Sequence, residues 1–502
     1  MTSLWPPDSI PQFEFECLKS PGPGLSGKGT DMQSRFWREG VLCALMLLLA
    51  AILTVRLSYA EGGEPRYFAI TNARIVPVSG PVIEKGTVVI ANGLIQAVGT
   101  SATIPPEAWV MDGSGLTVYP GLIDAATDIG LPKPEQPAGA PGMGGRRRGG
   151  APTGEQTFSA GPEDRPGTTP WRVAADEIKT DDKRIETWRN AGFTSSLTVP
   201  AGGIFPGQAS LIDLGGDRAS EMVVKPYAAL PLSFTPTGGF FNFPGSLMGV
   251  IGYMRQVFDD TAWYEEAEPV YAANVKASER IPYDRTEQTL ARAAARKEIY
   301  LVQVNNSVEI LRGLRLITEW KIPAVLEGAQ QGYETAAAIA AQGVAVIVNL
   351  NWPEPPRDAN PEGEQDLRDL RFRDRAPGTP AALSKAGVKF AFSSGGLDGP
   401  KEIQKRLKRA FDAGLSPDTA LRAFTIDAAS ILGVDDRMGT VEAGKIANLV
   451  VTDGDIFNEK TKVKVVFVDG RRYEVHEKAP PGKPGEKKPM VTEGTDAAGV
   501  AQ

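Results

Sequence analysis

The chain has 502 residues, with 54 Lys+Arg against 61 Asp+Glu and a net charge of −7. That length suits two or three domains, or one large barrel with attachments, and the mildly acidic balance argues against nucleic acid as the main partner, since phosphate binding needs a basic face. One histidine (His476) and two cysteines (Cys17 and Cys43) exclude a His-rich zinc centre and His-dependent triad chemistry.

Residues 1–31 are rich in Pro and Gly and read as a disordered leader or a misassigned start. Residues 32–60 read as a signal peptide or membrane anchor: Arg35 and Arg38 precede an apolar run from Val41 to Val55, and Ser58-Tyr59-Ala60 offers a small-x-small cleavage pattern. The run is short for a membrane span, which needs about 20 residues. Export to the periplasm or outside the cell is therefore expected, with both cysteines removed on cleavage. The alternative is a membrane tether through residues 41–55.

From Tyr67, FAITNARIVPV, GTVVIANGLIQAVG and VMDGSGLTVYPG alternate as short strands, broken by the turn pairs Asn92-Gly93 and Asp112-Gly113. ANLVVTDGDIF and VKVVFVDGRRYEV repeat the pattern near the other end. Residues 61–118 and 437–476 are thus predicted to form one small β-sandwich. Between them, FTSSLTV, IYLVQV, AVL, VAVIVNL and KFAFSS read as strands, alternating with amphipathic stretches such as SVEILRGLRLITEW and EIQKRLKRAFDAG. Repeated βα units over residues 119–436 predict a (β/α)8 barrel, making the fold class α/β. A Pro/Gly-rich insert at 133–171, holding Arg146, Arg147 and Arg148, and a tail at 477–502 are expected to be disordered. His476 is expected outside the barrel, exposed to solvent.

YPGLIDAATDIG (119–130), NAGFTSSLTVPAGGIFPGQASLIDL and AFTIDAASILGVDDRMGTVEAGKIANLVVTDGDIF (423–457) resemble the amidohydrolase superfamily, in its imidazolonepropionase-like exported branch. The resemblance implies a hydrolase of non-peptide carbon–nitrogen bonds with a metal centre at the barrel mouth. The positions it assigns to metal ligands carry other groups. The first-strand Asp-x-His-x-His reads Asp124-Ala125-Ala126-Thr127-Asp128, leaving Ala126 and Asp128 as ligand positions. The His-x-His of a later strand reads Gln303 and Asn305, the next ligand position is Gly328, and the final Asp is replaced by Ser394 or Gly395, with Asp398 a little late. Bound zinc creates the nucleophile by lowering the pKa of its water, so the inherited reaction is expected to be lost.

Three readings follow. In the first, the barrel mouth binds a small polar ligand or a protein partner, such as an active relative in a hetero-oligomer, with no cofactor. Gln303, Asn305, Asn306, Asn349, Asn351, Ser393 and Ser394 would supply hydrogen bonds and Trp352 a wall. In the second, Asp124, Asp128, Glu327 and Asp398 rebuild a divalent-metal site from oxygens alone, with Asp128, Glu327 and Asp398 as catalytic candidates. In the third, the chain is a membrane-tethered structural or interaction protein. Glycine loops at Pro200–Gly203 and Pro206–Gln208 suit close backbone approach to a ligand, or plain turns.

Overall fold

The computed structural model describes residues 67–132, 165–237, 243–355 and 363–475. The leader, the Val41–Val55 run, Arg146–Arg148, His476 and the tail lie outside them.

Strands from both ends share one sheet. β1 (Tyr67–Ile75), β2 (Ile83–Ala91), β3 (Leu94–Gly99), β4 (Trp109–Asp112) and β5 (Thr117–Pro120) come from the amino-terminal side, and β14 (Leu449–Thr452), β15 (Val463–Val468) and β16 (Arg471–Glu474) from the other. Their order is β16-β15-β14-β5-β1-β2-β3, with β4 beside β1. The joint is the antiparallel β14–β5 ladder, Leu449 opposite Pro120 through Thr452 opposite Thr117. The strands expected to form a small sandwich are hydrogen-bonded into one continuous sheet that folds over on itself, with the Phe68 and Phe467 rings 5.4 Å apart. Ile70, Ile75, Val88, Ile90, Leu449 and Phe467 form its dry face.

A second eight-stranded sheet runs β6 (Leu122–Thr127), β7 (Phe193–Thr198), β8 (Ala209–Asp213), β9 (Val223–Leu232), β10 (Ile299–Val304), β11 (Ala324–Gly328), β12 (Ala345–Asn349) and β13 (Phe390–Ser393). It curls nearly into a barrel. Ser393 Oγ donates to the Ala126 carbonyl at 2.6 Å, and Ser394 bonds Asp124, drawing β13 onto β6. Side chains alternate along each strand. Ala125, Leu197, Leu211, Ala229, Leu301, Val325, Ile347 and Ala391 meet inside, while Val302, Val304, Leu326, Val346 and Val348 pack outward under the helices.

Strict βα alternation fails at one place. β8 runs antiparallel to both neighbours. The β7–β8 link, residues 199–208, is too short for the crossover that a parallel return needs, a dozen or more residues. The base of the barrel is plugged by the helix Ile426–Leu432, whose Ala428, Ala429, Ile431 and Leu432 join the inner cluster with Val434 and Met438.

The helix Ser307–Trp320 forms where its apolar period predicts, opened by an Asn306–Glu309 capping box. The helix Leu247–Ala273 escaped the sequence reading, although Val250, Tyr253, Met254, Val257, Thr261 and Tyr264 are buried at helical spacing. Among the described residues no helix is long and apolar enough to cross a membrane.

The expected bounds of the disordered insert need correction. Residues 165–171 are built into the fold. Arg165 reaches Asp260 at 2.8 Å, Asp284 at 3.2 Å and Glu287 at 2.8 Å. The Thr168 hydroxyl meets that of Tyr253 at 2.6 Å. Arg285 stacks over the Trp171 ring.

Candidate functional site

In barrels of this kind, chemistry gathers where the parallel strands end. The β10–β11 ladder sets Gln303 beside Glu327, and the next ladders set Glu327 beside Ile347 and Ile347 beside Ala391. Since Leu301 and Val325 face the interior, the residues two further on, Gln303 and Glu327, continue the same inward rows. A carboxyl in a row with Ile347 and Ala391 and above Val325 is poorly solvated. Burial pushes the Glu327 carboxyl up to about 7, opposed by a hydrogen bond from Gln303. No charged side chain contributes to that shift.

Asp124 is fully buried, whereas Glu327 is half-buried. Desolvation pushes it up to about 7, against hydrogen bonds from the Ser394 hydroxyl and backbone, the Ala126 backbone, and a small further push from Asp128. Its two oxygens are taken by Ser394, so it closes the barrel rather than facing a ligand.

The other predicted residues separate. Asp128 is exposed, and its carboxylate is held by Arg184 at 2.7 Å, while the same guanidinium holds Asp182 at 2.8 Å. Asp398 is exposed in the loop after β13. Among the described residues no three His, Cys, Asp or Glu side chains come together as a metal site. The oxygen-only centre of Asp124, Asp128, Glu327 and Asp398 is therefore not assembled.

Several predicted ligand-binding side chains serve the backbone instead. Asn306 caps a helix. Asn349 donates to the Gly395 carbonyl at 3.0 Å and accepts from the Asn351 N–H at 2.7 Å, and Asn351 in turn donates to the Gly396 carbonyl at 3.1 Å. Ser393 is used by Ala126 and the Gly395 N–H. Trp352 is corrected from mouth wall to core: it is 1% exposed, packs in the outer cluster, and its indole N–H donates to the Arg406 carbonyl. Asn305 is exposed, its backbone N–H bonded by Glu309.

The two glycines at expected ligand positions have steric reasons to be glycine. Gly328 has φ +98°, and a Cβ there would lie 2.6 Å from the Val304 carbonyl oxygen and 2.7 Å from Asn305 Oδ1. A Cβ at Gly395 would lie 3.3 Å from both Asn349 Nδ2 and Ser393 Oγ. Ala126 carries no donor atom. Ala126, Gln303, Asn305, Gly328 and Gly395 thus bring neither an imidazole nor a carboxylate to those positions.

The glycine loop after β7 has its own occupant. A Cβ at Gly203 would sit 2.5 Å from the Gly167 carbonyl oxygen, which accepts from the Ile204 and Phe205 N–H groups. The close approach there is made by residues 165–171 of the chain itself. Arg184 and Gln330, whose amide donates to the Asn351 carbonyl at 2.7 Å, were missed by the sequence reading. The N-cap Asp182 just before a basic helix start was a signal for Arg184.

The amidohydrolase family model matches residues 290–473. The chain is 23% identical over 424 residues to the amidohydrolase tasK of Hapsidospora irregularis, covering 77% of this chain but 39% of that protein. It is 47% identical over 64 residues to an imidazolonepropionase of Thermoplasma volcanium, covering 12% of this chain and 16% of that enzyme. The chain thus spans well under half the length of these relatives. An amidohydrolase crystal structure from Thermotoga maritima MSB8 superposes with a TM-score of 0.65 at 25% identity, covering 81% of this chain and all of that one. Residues 290–473 are thus similar to the amidohydrolase family, and the barrel with its end-built sheet is similar to the fold of the Thermotoga maritima amidohydrolase.

Proposed function

We propose that this chain is an amidohydrolase-type barrel that binds a small polar ligand at its mouth without a metal-activated water. The carrying observation is the Gln303–Glu327 pair: one inward carboxyl beside a neutral amide, with no second acid or histidine among the described residues completing a metal trio. Such a pair can orient a ligand by hydrogen bonds. An amide oxygen is a weak metal ligand beside imidazole or carboxylate, and no side chain fits at Gly328 without a backbone shift. Mapping the ligand positions onto the imidazolonepropionase-like branch is part of this reading. So are export by the Arg-flanked Val41–Val55 run and pairing with an active relative.

The deciding measurement is elemental analysis of the protein purified without chelator. Divalent metal well below one equivalent is expected. One equivalent, lost in Asp128→Ala, would sink the reading and restore an oxygen-ligated hydrolase.

A further inference from the structure

The helix Leu247–Ala273 presents an outer face that the described chain leaves bare. Seven of the sixteen large apolar side chains exposed among the described residues fall within residues 243–283, so the apolar surface is concentrated here. Met248 is 83% exposed, Val270 64% and Trp263 56%. From Met248 to Ala273, exposed positions recur at alternating spacings of four and three, which keeps one stripe along the whole helix.

The carboxyl-terminal end of this helix has little holding it within the chain. Its final buried side chain is Tyr264, so residues 265–273 keep helical form without burying any side chain. Pro269 removes a backbone donor there. Glu265, Glu266 and Glu268 crowd the negative end of the helix dipole. So short a stretch is marginal as a helix on its own propensity, and packing normally supplies the difference.

The charges on the stripe select what packs there. Parallel copies of the helix would set Arg255 against Arg255 and Glu266 against Glu266. Antiparallel copies related by a two-fold axis set Met248 opposite Ala273, Arg255 opposite Glu266 and Asp259 opposite Ala262. Arg255 has the donors for a second carboxylate: Glu319 takes its Nε at 2.6 Å and its Nη2 at 2.9 Å, which leaves the Nη1 protons. The acidic excess on this helix opposes a phosphate-bearing surface, whether lipid or nucleic acid.

Independently of what the barrel mouth binds, we infer that the protein forms a two-fold dimer through this helix, a second copy of the chain covering the stripe. The 27-residue helix is about 40 Å long. A strip about 20 Å wide along it buries about 800 Å² per copy, the size of a standard stable interface. Trp263 and Val270 flank the seam and supply its apolar contacts.

Sedimentation velocity on the full chain should show a dimer at about 100 µM that dissociates on dilution. Without any substitution, hydrogen exchange in residues 265–273 should slow as the dimer fraction rises. Met248→Glu combined with Val270→Glu, both at exposed positions, should give a monomer that still melts cooperatively. Glu266→Lys sets a cation against Arg255 and should weaken the dimer roughly tenfold at low salt. A monomer at about 100 µM overturns the inference, as does self-association that survives the double variant. Exchange indifferent to the dimer fraction moves the interface off this helix, and a Glu266→Lys dimer as tight as the parent overturns the antiparallel register.

Discussion

Ser394 donates both its hydroxyl and its backbone N–H to the carboxyl of Asp124, 270 residues earlier in the chain. This contact, with Ser393 on Ala126, brings the last barrel strand to the first where no ladder is formed. Ser394→Ala leaves Asp124 buried with one hydrogen bond fewer. It is expected to cost about 1–3 kcal/mol, seen as a lower urea midpoint at unchanged slope. An unchanged midpoint would show that closure rests on packing alone.

Four carboxyls should tilt stability against pH. Burial raises Asp124, Asp213, Glu287 and Glu327 each to about 7. Each stays protonated in the folded chain after its unfolded counterpart has ionised. Their contribution is therefore complete below about pH 4, declines as pH rises toward 7, and is lost above it. Tm should fall between pH 5 and pH 8. A Tm rising across that window would contradict the burial of these groups.

Asp213 offers a site-specific version of the same experiment. It accepts from Ser195 Oγ at 2.6 Å and Asn448 Nδ2 at 2.9 Å at the barrel base. Asp213→Asn keeps an acceptor oxygen there but cannot ionise. The variant should match the parent near pH 5 and melt higher at pH 8, with a shallower pH slope. Equal slopes would remove Asp213 from the titrating set.

Restoring a histidine at Gly328 should not restore a metal centre. With φ +98° and a Cβ 2.6 Å from the Val304 oxygen, Gly328→His is expected to destabilise by about 1–3 kcal/mol and to bind no stoichiometric zinc. Denaturant titration and elemental analysis read the two outcomes. A stable, zinc-loaded variant would show that β11 ends more pliably than its geometry implies.

Gly203 tests the docked segment. Gly203→Ala places a methyl 2.5 Å from the Gly167 oxygen at a φ of +96°. Amide exchange should quicken for Ile204 and Phe205, which donate to that oxygen. Exchange unchanged from the parent would mean that residues 165–171 are held mainly by Arg165 and Thr168.

Much of the architecture was legible because it depends on local period and turn chemistry. The Asn92-Gly93 turn, the short apolar runs of β10 and β12, and the apolar stripe of Ser307–Trp320 each encode an element within a few residues. The absence of a histidine cluster is likewise a property of composition alone. The antiparallel β8 and the helix Leu247–Ala273 were hidden by short links and a weakly patterned surface.

What each polar residue does was decided only by tertiary structure. Asn306 and Asn305 are adjacent, yet one caps a helix and the other is exposed. Trp352 lies three residues past a strand end but is core. Asp128 is claimed by Arg184 across 56 residues, and Asp124 by Ser394 across 270. Strand register decides which side chains share a row inside the barrel, and long-range partners decide which remain for a ligand. Neither is a function of neighbouring residues, so the sequence named Glu327 as a candidate but only the folded barrel set it beside Gln303.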